Sequence, residues 1–281
     1  VAVRTDGQLV VHHVRPGSNG LPLVLLHGFP LDRRMWDDVI DLVPGSRPIL
    51  VVELPGFGDS PRGQDVAEAL GLDPEPSLEV SAAGVVAAVR AAGFERAAVV
   101  GLSMGGYVAM AVLEAEPRFV AALGLIDTKA SADTPEARAN RLRIAEEVER
   151  TERLDEVLGM RTALLGETSR AARPDLVERL ESWIGDQGPG AVAWAQRAMA
   201  ARPDRTEVLR GYAGPSLVVV GAEDEVTPLQ EAEAMVAALS ERGDSELVVV
   251  SRAGHMTTIE RPETVASVLS SFWLRAGHTV F

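Results

Sequence analysis

Six short apolar runs, separated by stretches of helical periodicity, constrain what this chain can fold into more than anything else in it. They are LPLVLLHG, RPILVVEL, AAVVGL, VAALGLID, PSLVVVGAED and SELVVVSRAG, rich in Val and Leu and closed by Gly or an acidic residue. Near-continuous apolar runs of this length suit strands covered on both faces, the situation of a parallel sheet. Parallel strands need crossovers, and helical patterns lie where these are required, at residues 32–43, 78–92, 104–116, 229–240 and 263–276. Ahead of them GQLVVHHVR, after the turn signal TDG, predicts an N-terminal hairpin. The expected class is α/β, with a mostly parallel sheet flanked by helices.

One block breaks the rhythm. Residues 128–205 carry no convincing strand, and Leu142, Ile144, Val148, Leu154, Val157 and Leu158 recur at helical spacing. ETSRAARPDL and GDQGPG divide this block into several helices. It is expected as a helical insertion after the sixth core strand, with residues 1–127 and 206–281 forming the core. A smaller irregular patch, SPRGQDVAEALGLDPEPSLE, follows ILVVEL.

The 281 residues suffice for one large domain, and 46% hydrophobic with 24% charged residues is the composition of a soluble globular protein. A net charge of −14 argues against nucleic acid as a partner, which calls for clustered Lys and Arg. With no cysteine, disulfide, thiolate and zinc–sulfur chemistry drop out. No secretory leader is visible in VAVRTDGQLVVHHVR, and no run reaches the roughly 18 apolar residues of a membrane span. A cytoplasmic protein with no membrane partner is expected.

The chemistry centres on GLSMGG, residues 101–106. Ser103 directly follows a predicted strand and precedes a predicted helix, a turn that lifts a serine hydroxyl above the sheet edge. Gly101, Gly105 and Gly106 supply the small residues such a turn requires. The helix N-terminus brings free N–H groups and positive dipole to the place where an oxyanion would form. The same pattern would also arise from a serine that merely caps a helix.

A serine nucleophile needs a base, and there are five histidines. His12 and His13 suit a surface hairpin, and His278 lies near the C-terminus. His27 and His255 sit at the carboxyl ends of strands, where reactive groups of open parallel sheets gather. His27 heads HGFP, a tight turn whose Phe29 N–H would pair with that of Met104 as a two-donor oxyanion hole, which leaves His255 as the general base. The third member must be a carboxylate that orients the imidazole. Asp127 and Asp224 both end strands, and either could reach a shared histidine. Position one strand before His255 and the chain order Ser, Asp, His favour Asp224. Glu223 and Glu225 are read as solvated flanks.

HGFP, GLSMGG, GAEDEVTP and GHMTTIERPE occur in this order and on these elements. The arrangement resembles the α/β-hydrolase superfamily over nearly the whole chain. HGFPLDRRMW, LPGFGDS and DTKASADTPEARANR are similar to its small carboxylesterase and 3-oxoadipate enol-lactonase-like branch. That resemblance implies a triad of Ser103, His255 and Asp224, oxyanion donors from the backbones of Phe29 and Met104, and a helical cap at 128–205. It implies no cofactor and no metal. Trp36, Met160, Trp183 and Trp194, with Met199, are the candidate pocket residues, although at helical spacing such residues also make a cap's own core. The chain departs from the branch at Glu53, where Asp is more usual, and in the longer patch at 62–77.

The function expected is hydrolysis of a small carboxylic ester or lactone through an acyl-enzyme. A perhydrolase (non-haem haloperoxidase-like) or a C–C bond hydrolase would use the same triad. An epoxide hydrolase or dehalogenase needs Asp where Ser103 stands. A hydrolase-like small-molecule binding protein without catalysis is the alternative of a different class.

Overall fold

Each of the six apolar runs forms a strand. The computed structural model describes residues 2–3, 7–16 and 20–278. Its strands are β1 (Ala2–Val3), β2 (Val11–Arg15), β3 (Leu23–Leu26), β4 (Ile49–Val52), β5 (Ala97–Leu102), β6 (Val120–Ile126), β7 (Ser216–Gly221) and β8 (Ser245–Val250). They make one sheet in the order β1-β2-β4-β3-β5-β6-β7-β8. β3 to β8 run parallel, and β1 and β2 form the antiparallel N-terminal hairpin. Thr5 and Asp6 of the predicted turn lie outside the described residues.

Every side chain of β3 to β7 is buried, as continuous apolar runs require. Burying a Val or Leu is worth about 1.5–3 kcal/mol relative to leaving it exposed. β8 departs from this pattern: it is the edge strand, with neighbours on one side, and Val249 is 43% exposed.

The helices are α1 (Asp37–Ile40), α2 (Gly63–Leu70), α3 (Leu78–Ala91), α4 (Met104–Ala115), α5 (Pro135–Thr151), α6 (Asp155–Leu158), α7 (Met160–Ala163), α8 (Glu167–Ala172), α9 (Pro174–Gly185), α10 (Pro189–Ala201), α11 (Thr206–Gly211), α12 (Leu229–Leu239), α13 (Thr257–Glu260) and α14 (Pro262–His278). The predicted helix at 32–43 begins instead as a 3-10 turn, Arg33–Trp36, capped by the Asp32 carboxylate, which accepts the Arg34 N–H at 3.0 Å. The patch at 62–77, read as irregular, contains α2, which buries Val66 and Ala67 and ends on Gly71 in the left-handed region. Among the described residues no helix is long and apolar enough to cross a membrane.

Helices α5 to α10 all lie between β6 and β7. α5 packs along α10, where Arg141 Nη1 donates to Gln196 Oε1 at 3.1 Å and meets Met199 Sδ at 3.5 Å; Ile144, Ala145 and Val148 of α5 and Val192, Ala195 and Met199 of α10 are buried. The chain's way in and way out are joined where Arg205 N–H donates to the Ala130 carbonyl at 2.9 Å. The buried Arg205 guanidinium also reaches Glu114 at 2.9 Å.

Asp32 ties the front of this segment to the loop after β3. Its carboxylate accepts from Arg34, which also binds Asp186 at 2.8 Å, and from Gln187 Nε2 at 2.9 Å. Burial alone would raise the Asp32 carboxyl, but the Arg34 and Gln187 hydrogen bonds outweigh it and hold it at about 2. A carboxyl lower in the folded than in the unfolded chain stabilises above the unfolded value and loses that contribution as pH falls. Asp32→Asn should therefore cost roughly 1–2 kcal/mol at pH 7, allowing for the partial exposure of Arg34. Thermal melts should show the difference from wild type shrinking from about pH 4 down to about pH 2. A gap that stays constant across that range would remove the charge from the explanation.

Candidate active site

The sheet register brings five chain segments to one edge. Leu26 pairs with Gly101, Leu102 with Ile126, Ile126 with Val219, and Gly221 with Val250. The residues that follow β3, β5, β6, β7 and β8 therefore share the carboxyl edge of the sheet. They include Phe29, Ser103, Asp127, Asp224 and His255.

Ser103 sits in the turn between β5 and α4 at φ 53, ψ −114, a conformation an L residue rarely adopts. Its N–H donates to the Ile126 carbonyl at 2.9 Å, and its carbonyl accepts from Thr128 Oγ1 at 2.8 Å. These contacts hold the strained residue from both sides. The neighbouring glycines make the turn sterically possible. A Cβ on Gly101 would lie 2.1 Å from the Gly105 main chain, and one on Gly105 would lie 2.3 Å from the Leu26 carbonyl oxygen. The Ser103 side chain makes no cap to α4, so the helix-cap reading of the motif has no support in the geometry.

Ser103 Oγ is 2.9 Å from His255 Nε2, and His255 Nδ1 is 2.9 Å from Asp224 Oδ2. Asp224 has no choice but to accept, so Nδ1 carries the proton and Nε2 is left to accept from the serine hydroxyl. Asp224 also takes the N–H groups of Val226 and Thr227 on Oδ1, at 2.8 and 3.0 Å, and the Thr227 hydroxyl on Oδ2 at 2.8 Å. Burial works to raise this carboxyl, but the attraction of His255 and these hydrogen bonds prevail and hold it below the ordinary carboxylate range. Asp224 is thus an ionised group facing an imidazole that would become cationic.

Asp127 is close by but differently engaged. Oδ1 accepts the Gly221 N–H at 3.0 Å, and Oδ2 accepts the Thr257 hydroxyl at 2.6 Å and its N–H at 3.2 Å. Complete burial pushes its carboxyl well above the ordinary range, and the charge of Asp224 adds to the effect. Of the two aspartates, the one hydrogen-bonded to His255 is Asp224.

Phe29 lies in the loop after β3, between Gly28, whose N–H contacts Met35 Sδ at 3.1 Å, and Leu31, whose N–H binds the Gly28 carbonyl at 3.0 Å. Met104 is the first residue of α4, so its N–H stands ahead of that helix's internal ladder. His27 is fully buried; its Nε2 accepts the Leu54 N–H at 2.9 Å and its Nδ1 faces the Gly28 carbonyl at 3.1 Å. Burial lowers its basicity, so His27 acts as a neutral brace between two loops.

His12 is half-buried rather than on an open surface, paired with the buried Glu53 at 3.1 Å. Glu53 in turn accepts the Asp59 N–H at 2.9 Å, which fixes the turn after β4. The His278 side chain lies outside the described residues.

The candidate pocket residues scatter. Trp36 has no exposed surface and belongs to the core. Trp183 is half-buried between the Arg34 and Arg179 guanidinium groups, 5.6 and 5.5 Å from its ring centroid. Met160 is half-buried at the start of α7. Trp194 packs against Gly63 and lines a cavity of about 380 Å³ with Gly56, Gln64 and Ala191. Met199 is buried in the contact of α10 with α5.

Residue type and order give no role to Thr227, Thr257 or Glu260. Glu223 is not a solvated flank, for it accepts the Thr168 N–H at 2.8 Å. Only Thr227 had a usable signal, as the hydroxyl three residues after Asp224 in AEDEVT.

This geometry can be set beside known proteins. The Alpha/beta hydrolase family model matches residues 23–268. A solved thermophilic esterase from Thermogutta terrifontis is 34% identical, with a TM-score of 0.85 over 96% of this chain and 95% of that one. A pimeloyl-[acyl-carrier protein] methyl ester esterase of Neisseria meningitidis is 26% identical, covering 88% of this chain and 91% of that protein. A biotin biosynthesis bifunctional protein of Cellvibrio japonicus is 28% identical over 89% of this chain, which spans only 47% of that longer protein. The match runs from β3 into α14 and takes in every parallel strand of the sheet, and the chain therefore belongs to the alpha/beta hydrolase family, in its esterase-like branch.

Proposed function

We propose that this protein hydrolyses small carboxylic esters or lactones through an acyl-enzyme on Ser103. The observation that carries the reading is the unbroken series from Ser103 Oγ to His255 to Asp224, with both hydrogen bonds at 2.9 Å. His255 Nε2 takes the hydroxyl proton as Ser103 Oγ bonds to the carbonyl carbon. The N–H groups of Phe29 and Met104 receive the oxyanion, and Asp224 stabilises the imidazolium. His255 then protonates the departing alkoxide. Water, deprotonated by His255 in turn, frees the acid and restores Ser103. Residues 128–205 serve as a cap on a core of 1–127 and 206–281; the bond from Gln187 to Asp32, beside the Phe29 loop, supports that arrangement. The names of the esterase relatives support an ester as substrate.

A fluorophosphonate offers a direct test. It should add once, at Ser103, as read by peptide mass, and the labelled protein should lose turnover of short- to medium-chain p-nitrophenyl esters and simple lactones. No adduct under conditions that label ordinary esterases would remove the enzyme reading in favour of a binding protein.

A further inference from the structure

The chemistry just proposed uses Asp224 and leaves another buried carboxylate unexplained. Glu260, in α13, is only 2% exposed. Its Oε1 accepts the Gly254 N–H at 2.8 Å and the Met256 N–H at 3.2 Å, the residues on either side of His255. Its Oε2 accepts the Gly166 N–H at 2.9 Å, from the segment between α7 and α8. All three partners are main-chain groups. One side chain thus holds the histidine loop on both flanks and binds it to a segment about ninety residues away in sequence.

The contact at Gly166 is close enough to transmit position. A Cβ on Gly254 would lie 2.2 Å from the Gly166 nitrogen, and one on Gly166 would lie 2.7 Å from the Gly254 nitrogen. The two backbones touch without intervening side chains. Two residues on, Thr168 donates its N–H to Glu223, the neighbour of Asp224. Residues 166–168 are therefore fastened to the loops of both His255 and Asp224.

We propose that Glu260 is a positioning residue for His255: its carboxylate clamps the main chain on both sides of the imidazole and ties that placement to the seating of Gly166. The inference rests on the Ser103 and His255 assignment above. A carboxylate suits the task because three N–H donors converge on it. An amide would turn its own NH2 toward at least one of them. The chemistry makes the alignment matter, since a displacement of about 1 Å between base and nucleophile can cost about 100-fold in rate.

Glu260→Gln keeps shape and volume while spoiling one side of the clamp. In the folded variant, kcat and the rate of fluorophosphonate addition at Ser103 should both fall about 10- to 100-fold, with KM little changed. The low-field proton resonance of the His255 Nδ1–H···Asp224 bond should broaden or vanish. Amide exchange at Gly166, Gly254 and Met256 should speed up together. Glu260→Asp, one methylene too short to reach both sides at once, should show the same split in milder form.

Wild-type protein that takes no label at Ser103 would defeat the underlying reading rather than this one. Normal labelling of wild type, with either folded variant retaining wild-type kcat and the resonance while only melting earlier, would make Glu260 a structural residue and overturn the proposal. Failure of both variants to fold would overturn it as well, by making the carboxylate a requirement of the fold.

Discussion

Ser103→Ala is expected to abolish ester turnover, by about 10^6-fold if this series behaves as serine–histidine pairs do elsewhere. The variant should fold normally. Alanine retains the Cβ that position 103 already accommodates at φ 53, and the main-chain bonds to Ile126 and Thr128 do not involve the hydroxyl. What is lost is a single side-chain bond, to His255. A melting curve within about 1 kcal/mol of wild type, alongside only the small residual rate that the oxyanion donors and binding leave, is the expected pair of results. Substantial turnover by the purified variant would mean that the nucleophile is some other group.

Asp224→Asn is expected to lower kcat by about 10^4-fold. The reason lies in which oxygen does what. Oδ1 receives two main-chain N–H groups, from Val226 and Thr227, so the asparagine oxygen is drawn to that side. The amide nitrogen then occupies the place of Oδ2, facing His255 Nδ1. There it donates, which moves the imidazole proton to Nε2, and the histidine can no longer accept from Ser103. Asp127→Asn should fall far short of that loss, because Asp127 bonds Gly221 and Thr257 rather than the imidazole. Parallel kinetics on the two variants read this directly; the opposite ranking would reassign the carboxylate.

The same pair has opposite leanings with pH. The Asp224 carboxyl lies below its ordinary value, so its stabilising contribution is complete above that value and fades as pH falls through the folded one. The Asp127 carboxyl is raised, so its contribution is complete at low pH and declines as pH rises.

Much of the sheet was legible because its strands are buried on both faces, and that burial leaves short runs of Val and Leu closed by Gly or an acidic residue. β8 shows the limit of the signal. SELVVV reads like the others, yet one side of it has no neighbour and Val249 stands exposed. The helix at 32–43 starts at Asp32 as its N-cap but takes a 3-10 first turn, and side-chain periodicity does not distinguish one such turn from an α-helical one. The pocket candidates were chosen for size and polarity alone. Trp36 is core, and Trp183 packs half-buried against the core beside two arginines, since large apolar residues fill both roles equally well.

Residue order alone determined that Ser103 stands at a strand-to-helix turn, that His255 follows the last strand, and that an aspartate ends each of two neighbouring strands. These are local facts, written in periodicity and in the need for glycine where backbones cross. Order favours Asp224 but does not exclude Asp127, because both end strands at the same sheet edge and differ in what stands opposite them. Nor could it find Glu260, whose three partners are main-chain N–H groups from two distant segments and leave no trace in residue type. A carboxylate's charge state and its bonds depend on burial and on groups brought near by the fold, so only the tertiary structure sets an ionised Asp224 against His255 and keeps Asp127 apart from it.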